Sequence, residues 1–141
     1  MKALIAACLT VFLLLSGAGR AAEGPGVQDG SGPEPPVLTK AVMCEEIRNG
    51  APYRPAVVFP AETEQVVCFS RFDSIHEETW VYHNWFHRDR LSRRIRLELH
   101  PPKWGTFSRI QLRENDRGPW RVEISDQDGR TIEILRFSIT D

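Results

Sequence analysis

Gly118-Pro119-Trp120-Arg121-Val122-Glu123-Ile124-Ser125, the turn Asp126-Gln127-Asp128-Gly129, and the run Arg130-Thr131-Ile132-Glu133-Ile134-Leu135-Arg136-Phe137 together decide the fold class. Apolar Trp120, Val122 and Ile124 alternate with polar Arg121, Glu123 and Ser125, and an Asp-Gly turn leads into a second β-rich run. A period of two marks a strand with one packed face and one wet face, and the turn makes the pair an antiparallel hairpin. Trp120, Val122 and Ile124 are therefore expected inward, with Arg121, Glu123 and Ser125 outward. In the second strand the apolar parity shifts from Ile132 and Ile134 to Leu135, Phe137 and Ile139. A one-residue bulge near Ile134–Leu135 is expected to keep both sets facing a core.

Five more β-rich runs precede the hairpin: Ala41–Ile47, Gln65–Phe72, Trp80–Phe86, Leu91–Leu99 and Thr106–Leu112. With Trp120–Ser125 and Thr131–Ile139 they make seven, and the prolines fall between them, where no ladder bond is lost. Short strands punctuated in this way predict an all-β fold, a two-sheet antiparallel β-sandwich of immunoglobulin-like type. Ser74 stands three residues before Glu77, the spacing of a capping box, so one short helical turn is expected at Ser74–Glu78. Continuation of that helix to Arg90 is opposed by Thr79, Trp80, Val81, Tyr82, Trp85 and Phe86, residue types that favour strands.

The start of the chain has a different character. Lys2, the apolar run Ala3–Leu15 and the small residues Ser16-Gly17-Ala18-Gly19 are the parts of a secretory signal peptide. The run falls short of the roughly 20 apolar residues that span a bilayer. Residues 1–22 are read as signal peptide, 23–36 as a disordered Gly/Pro-rich linker and 37–141 as the β-sandwich domain. The expected location is periplasmic or otherwise extracytoplasmic, with membrane contact only through an uncleaved signal segment. The formal charge of −1 becomes −3 once Lys2 and Arg20 are removed with no acid. A near-neutral chain has no global field for nucleic acid.

Cys44 and Cys68 are the cysteines of an exported chain, and an oxidising compartment predicts a disulfide between them. Such a bridge stabilises by about 3.5 kcal/mol in the chain-entropy model. The alternative is two buried thiols acting as small apolar residues.

No stretch carries a catalytic signature. The serines lack a Gly-x-Ser-x-Gly elbow, and the scattered carboxylates suit turns. His83 and His87 would share a metal on a helix, but on a strand they lie about 13 Å apart. No cofactor is implied. Trp80, Tyr82, Trp85 and Phe86 cover both faces of one short strand, and Trp104 sits in a Pro-Pro loop. Burial accounts for such rings, and an exposed subset makes a platform for a sugar or peptide. Arg94 and Arg96, in the basic run Arg88–Arg96, either form a solvated sheet face or hold an anion. The candidate binding surface is thus Trp80, Tyr82, Trp85, Trp104, Arg94 and Arg96.

His83-Asn84-Trp85, Trp104-Gly105-Thr106-Phe107-Ser108 and Gly118-Pro119-Trp120-Arg121-Val122, leading through Asp126 and Gly129 to Phe137, resemble the bacterial domain-of-unknown-function 2914 family. The resemblance runs from about Cys68 to Ile139. It implies an envelope-associated bacterial domain and supplies no catalytic residue. The combined expectation is an exported, non-enzymatic module that binds an envelope protein or glycan. The alternative is a small periplasmic metal-binding protein or enzyme using His83 and His87.

Export is checked by intact mass. Periplasmic protein should begin between Ala18 and Ala22, and a chain retaining Met1 would mean an uncleaved anchor.

Overall fold

The computed structural model describes residue 30 and residues 32–141. The expected signal peptide and most of the expected linker lie outside the described residues. The described chain is almost wholly β-strand: β1 (Val37–Arg48), β2 (Ala51–Pro55), β3 (Val58–Pro60), β4 (Gln65–Asp73), β5 (Thr79–His87), β6 (Arg90–Leu99), β7 (Trp104–Gln111), β8 (Gly118–Ser125) and β9 (Thr131–Thr140). They form a four-stranded sheet of order β2-β1-β4-β7 and a five-stranded sheet of order β3-β9-β8-β5-β6.

The expectation of purely antiparallel sheets is corrected at one edge, where β3 runs parallel to β9 with Phe59 opposite Ile139. Neither β2 nor β3 was foreseen. Both hold prolines (Pro52, Pro55 and Pro60), and both are edge strands, where a missing N–H leaves no ladder bond broken. The helical turn at Ser74–Glu78 is also corrected. Ser74 adopts φ 56°, which no N-cap residue takes, and the short 3-10 turn lies instead at Glu114–Asp116.

One apolar cluster draws on the inner faces of both sheets. Met43, Val66, Cys68, Phe72 and Ile110 come from the smaller sheet, and Phe59, Val81, Trp85, Trp120, Val122, Ile124, Phe137 and Ile139 from the larger. Phe137 is its hub, with Phe59, Trp85 and Trp120 all about its ring at centroid distances of 5.9, 6.0 and 6.0 Å.

The hairpin has the expected faces. Trp120, Val122 and Ile124 are buried. Ser125 sits on the outward side yet is covered, because Asn84 Nδ2 donates to its Oγ at 3.0 Å. The turn is held by Asp126 Oδ1, which accepts from the N–H of Asp128 and of Arg130, and Gly129 supplies the required φ of 82°. The parity shift in β9 is resolved differently from the expectation. Ile124 pairs Glu133 while Ser125 pairs Thr131, so the bulged residue is Ile132 rather than one near Ile134–Leu135. Ile132 and Ile134 consequently stay on the outer face, 40% and 39% exposed, while Leu135, Phe137 and Ile139 point inward.

The disulfide expectation is overturned. Cys44 and Cys68 are both buried free thiols. Strand register is the reason: on adjacent β1 and β4, Met43 lies opposite Cys68 and Cys44 opposite Val67. Offset by one position, the two side chains leave opposite faces of the same sheet, so no disulfide geometry is accessible without moving the backbone. Burial raises the pKa of both thiols, most strongly at Cys68, which suppresses the reactive thiolate.

Peptide mapping of native protein should show Cys44 and Cys68 unlinked, and alkylated only after denaturation without reductant. Trp120→Ala removes a ring stacked at 4.4 Å on His87 and should cost about 3–5 kcal/mol. At about 4 °C or more per kcal/mol, a thermal melt should fall by more than ten degrees.

Candidate functional site

The strand β5 organises every polar feature of note, because alternation splits it into two chemistries. Val81, His83 and Trp85 point inward and are buried, whereas Trp80, Tyr82, Asn84 and Phe86 lie on the outer face.

The inward set carries a buried hydrogen-bond network between the sheets. His83 is fully buried, with Nε2 2.9 Å from Ser70 Oγ and Nδ1 2.7 Å from Ser108 Oγ. Trp85 Nε1 donates to the same Ser108 Oγ at 2.9 Å. Ser70 belongs to β4 and Ser108 to β7, so one imidazole and one indole bolt the larger sheet to the smaller. A neutral imidazole has one donor and one acceptor, and the rotatable serine hydroxyls match either tautomer. Burial drives the His83 pKa down from 6.5 to about 3, so the ring is neutral throughout the physiological range.

This network disposes of the residues that had suggested metal chemistry. Both ring nitrogens of His83 are engaged by serines, and His87, at the far end of the strand, stacks on Trp120 and places Nε2 2.9 Å from the Arg117 carbonyl. Among the described residues, no group of three or more His, Cys, Asp or Glu is placed to hold a metal ion. Neither cysteine is placed for nucleophilic work.

On the outer face, guanidinium groups lie over aromatic rings. Arg96 sits 3.9 Å from the Trp80 centroid, Arg94 3.8 Å from Tyr82 and Arg121 4.1 Å from Phe86. The cross-strand register explains the pairing. Arg96 is opposite Tyr82 and Arg94 opposite Asn84, so each arginine reaches diagonally to the ring two positions back. Four of the expected surface residues, Trp80, Tyr82, Arg94 and Arg96, are therefore brought together. Trp85 is corrected to a core residue, its face set by its place two positions from His83. Trp104 opens β7 in the other sheet, 40% exposed and edge-on to His100 at 4.5 Å, apart from the arginine-covered rings.

At one end of this face the surface dips into a cavity of about 450 Å³. Phe72, Val81, Ile132 and the prolines of residues 33–36 supply its apolar lining, and Trp80 forms part of its wall. Trp80 Nε1 is buried without a hydrogen-bond partner. Glu34, Glu77, Asp126 and Asp128 outnumber Arg130 around it, which gives the rim an acidic balance. Sequence reasoning marked Trp80 but missed this cavity, since Ile132 was expected in the core and the prolines in a structureless linker.

The class defined by these observations is an all-β protein of two sheets with a concave aromatic site and a buried, polar inter-sheet bolt. Residues 78–139 match the model of the family described as Protein of unknown function (DUF2914), and this segment of the chain belongs to that family. The match begins just before β5 and reaches into β9, so it contains His83, Trp85, Ser108 and the arginine-covered rings, but leaves out β4, which the resemblance had included. No curated protein matches the chain.

The neutral His83 makes stability depend on pH. Between 6.5 and about 3 the unfolded chain binds a proton that the folded chain does not, so this residue's contribution is present above 6.5 and is lost as the pH falls. Each pH unit in that window should cost about 1.4 kcal/mol. Urea denaturation from pH 7 to 5 should show the slope, and His83→Gln should flatten it whatever its own stability.

Proposed function

We propose that this chain is an exported, non-enzymatic binding module of the bacterial cell envelope, folded as an immunoglobulin-like β-sandwich. The signal-like start, Lys2 with Ala3–Leu15, supports export, and a core cluster shared by the inner faces of both sheets supports the sandwich. The ligand seat is the cavity beside Trp80.

One observation carries the reading: Trp80, whose indole N–H is buried without a partner, forms part of the wall of a largely apolar cavity. An unsatisfied buried donor costs about 1–3 kcal/mol, a penalty that an arriving acceptor removes. Apolar walls, one unmet donor and an acidic rim suit a protein segment with an apolar anchor, a carbonyl for Trp80 and basic flanking residues. A glycan would use Trp80 as a stacking platform, but the ring face under Arg96 is already covered.

The Trp80 indole N–H resonance reports occupancy directly. Soluble envelope-protein fractions should shift it together with Val81 and Ile132, and Trp80→Phe should weaken binding about tenfold while Ile132→Asp abolishes it. A shift produced by glycan fragments alone would reassign the ligand class, and silence in every fraction would end the proposal.

A further inference from the structure

The far end of the two-sheet body carries a second concavity of different chemistry. The strand β6 is the free edge of the larger sheet and β7 the free edge of the smaller. Along β6 the inward row Leu99, Leu97 and Ile95 ends in Arg93, which pairs with core residue Trp85. Ser92 is the bulged residue between the Trp85–Arg93 and Phe86–Leu91 pairs. A position that register assigns to the inter-sheet side is thus filled by a guanidinium. At the edge of the other sheet, β7 contributes Arg109, which alternates with the inward Ser108 and Ile110 and so lies on the outer side of the strand. The segment after it contributes Arg113, and the three arginines line one cleft of about 440 Å³ with Ile110 and Trp120.

We propose that this cleft is an anion site that binds a phosphate-type oxyanion through Arg93, Arg109 and Arg113. Among the described residues none of the three makes a side-chain ion pair, unlike Arg48, Arg54, Arg96, Arg117, Arg121 and Arg130, a lack they share with Arg71, Arg88, Arg90, Arg94 and Arg136. Asp116 also lines the cleft, but its Oδ2 accepts the Arg113 backbone N–H at 2.7 Å, so it serves the local turn. Guanidinium forks suit an oxyanion, because their planar donors meet phosphate oxygens in pairs. Trp120 gives the cleft a fixed side: it is buried in the core and its Nε1 donates to the Asp116 carbonyl at 2.6 Å.

The chemistry is shared by free phosphates and by phospholipid head groups, and the test separates them. The full exported chain is titrated with pyrophosphate at low salt, by calorimetry and by the Trp120 indole resonance, and floated with vesicles of phosphatidylglycerol or of phosphatidylcholine. Pyrophosphate should shift Trp120, and Arg93→Gln and Arg113→Gln should each weaken binding tenfold or more with unchanged thermal melts. Arg48→Gln, at the end of β1 and outside the cleft lining, should bind as wild type. Flotation with phosphatidylglycerol that the same variants lose identifies a head-group ligand, and pyrophosphate binding without flotation identifies a free anion. Absence of pyrophosphate binding, or binding that survives both glutamine variants, overturns the site.

Discussion

The structure depends on a buried histidine held neutral at physiological pH. His83 is enclosed between the sheets and held by Ser70 and Ser108, with Trp85 closing the network onto the same serine. Each bond alone contributes about 1 kcal/mol, but leaving any member unpaired in a dry interior costs more. The network therefore penalises misregistration more than it rewards assembly. A slip of β5 by one residue would turn His83 and Trp85 outward and break their bonds to Ser70 and Ser108.

The same alternation that buries His83 places the outer rings of β5 under arginines. A guanidinium over an aromatic face contributes about 0.5–1 kcal/mol at an exposed site and shields a ring that would otherwise be bare. Arg96 also pairs with Glu98, and Arg121 with Asp89 and Glu123. These arginines are thus largely occupied with covering their own sheet. The contrast with Arg93, Arg109 and Arg113, which have no such duty, separates arginines that maintain a surface from those free to meet a ligand.

The two concave sites lie where the regular sheet stops. The inner strands pair with a neighbour on each side, and on the outer face of β5 the side chains cover one another. At the strand ends the bulged Ile132 and the prolines of residues 33–36 line a cavity with Trp80, while the bulged Ser92 marks the place where an inward row ends in arginine.

Much of this was legible before any coordinates. β-rich runs between turn residues identified seven strands, and period-two alternation gave the inward face of Trp120, Val122 and Ile124, because side-chain direction in a strand is a local property of the chain. The ordered motifs around His83, Trp104 and Trp120 pointed to the family that residues 78–139 match. What sequence could not supply were relations between strands. Whether Cys44 meets Cys68 turns on a one-residue offset between β1 and β4, and whether Trp85 is surface or core turns on which strands flank β5. The serine partners of His83 lie 13 and 25 residues away, on strands of the other sheet. Local periodicity fixes which residues share a face. Only the pairing of distant strands decides what that face meets, because register is a long-range quantity that no window along the chain contains.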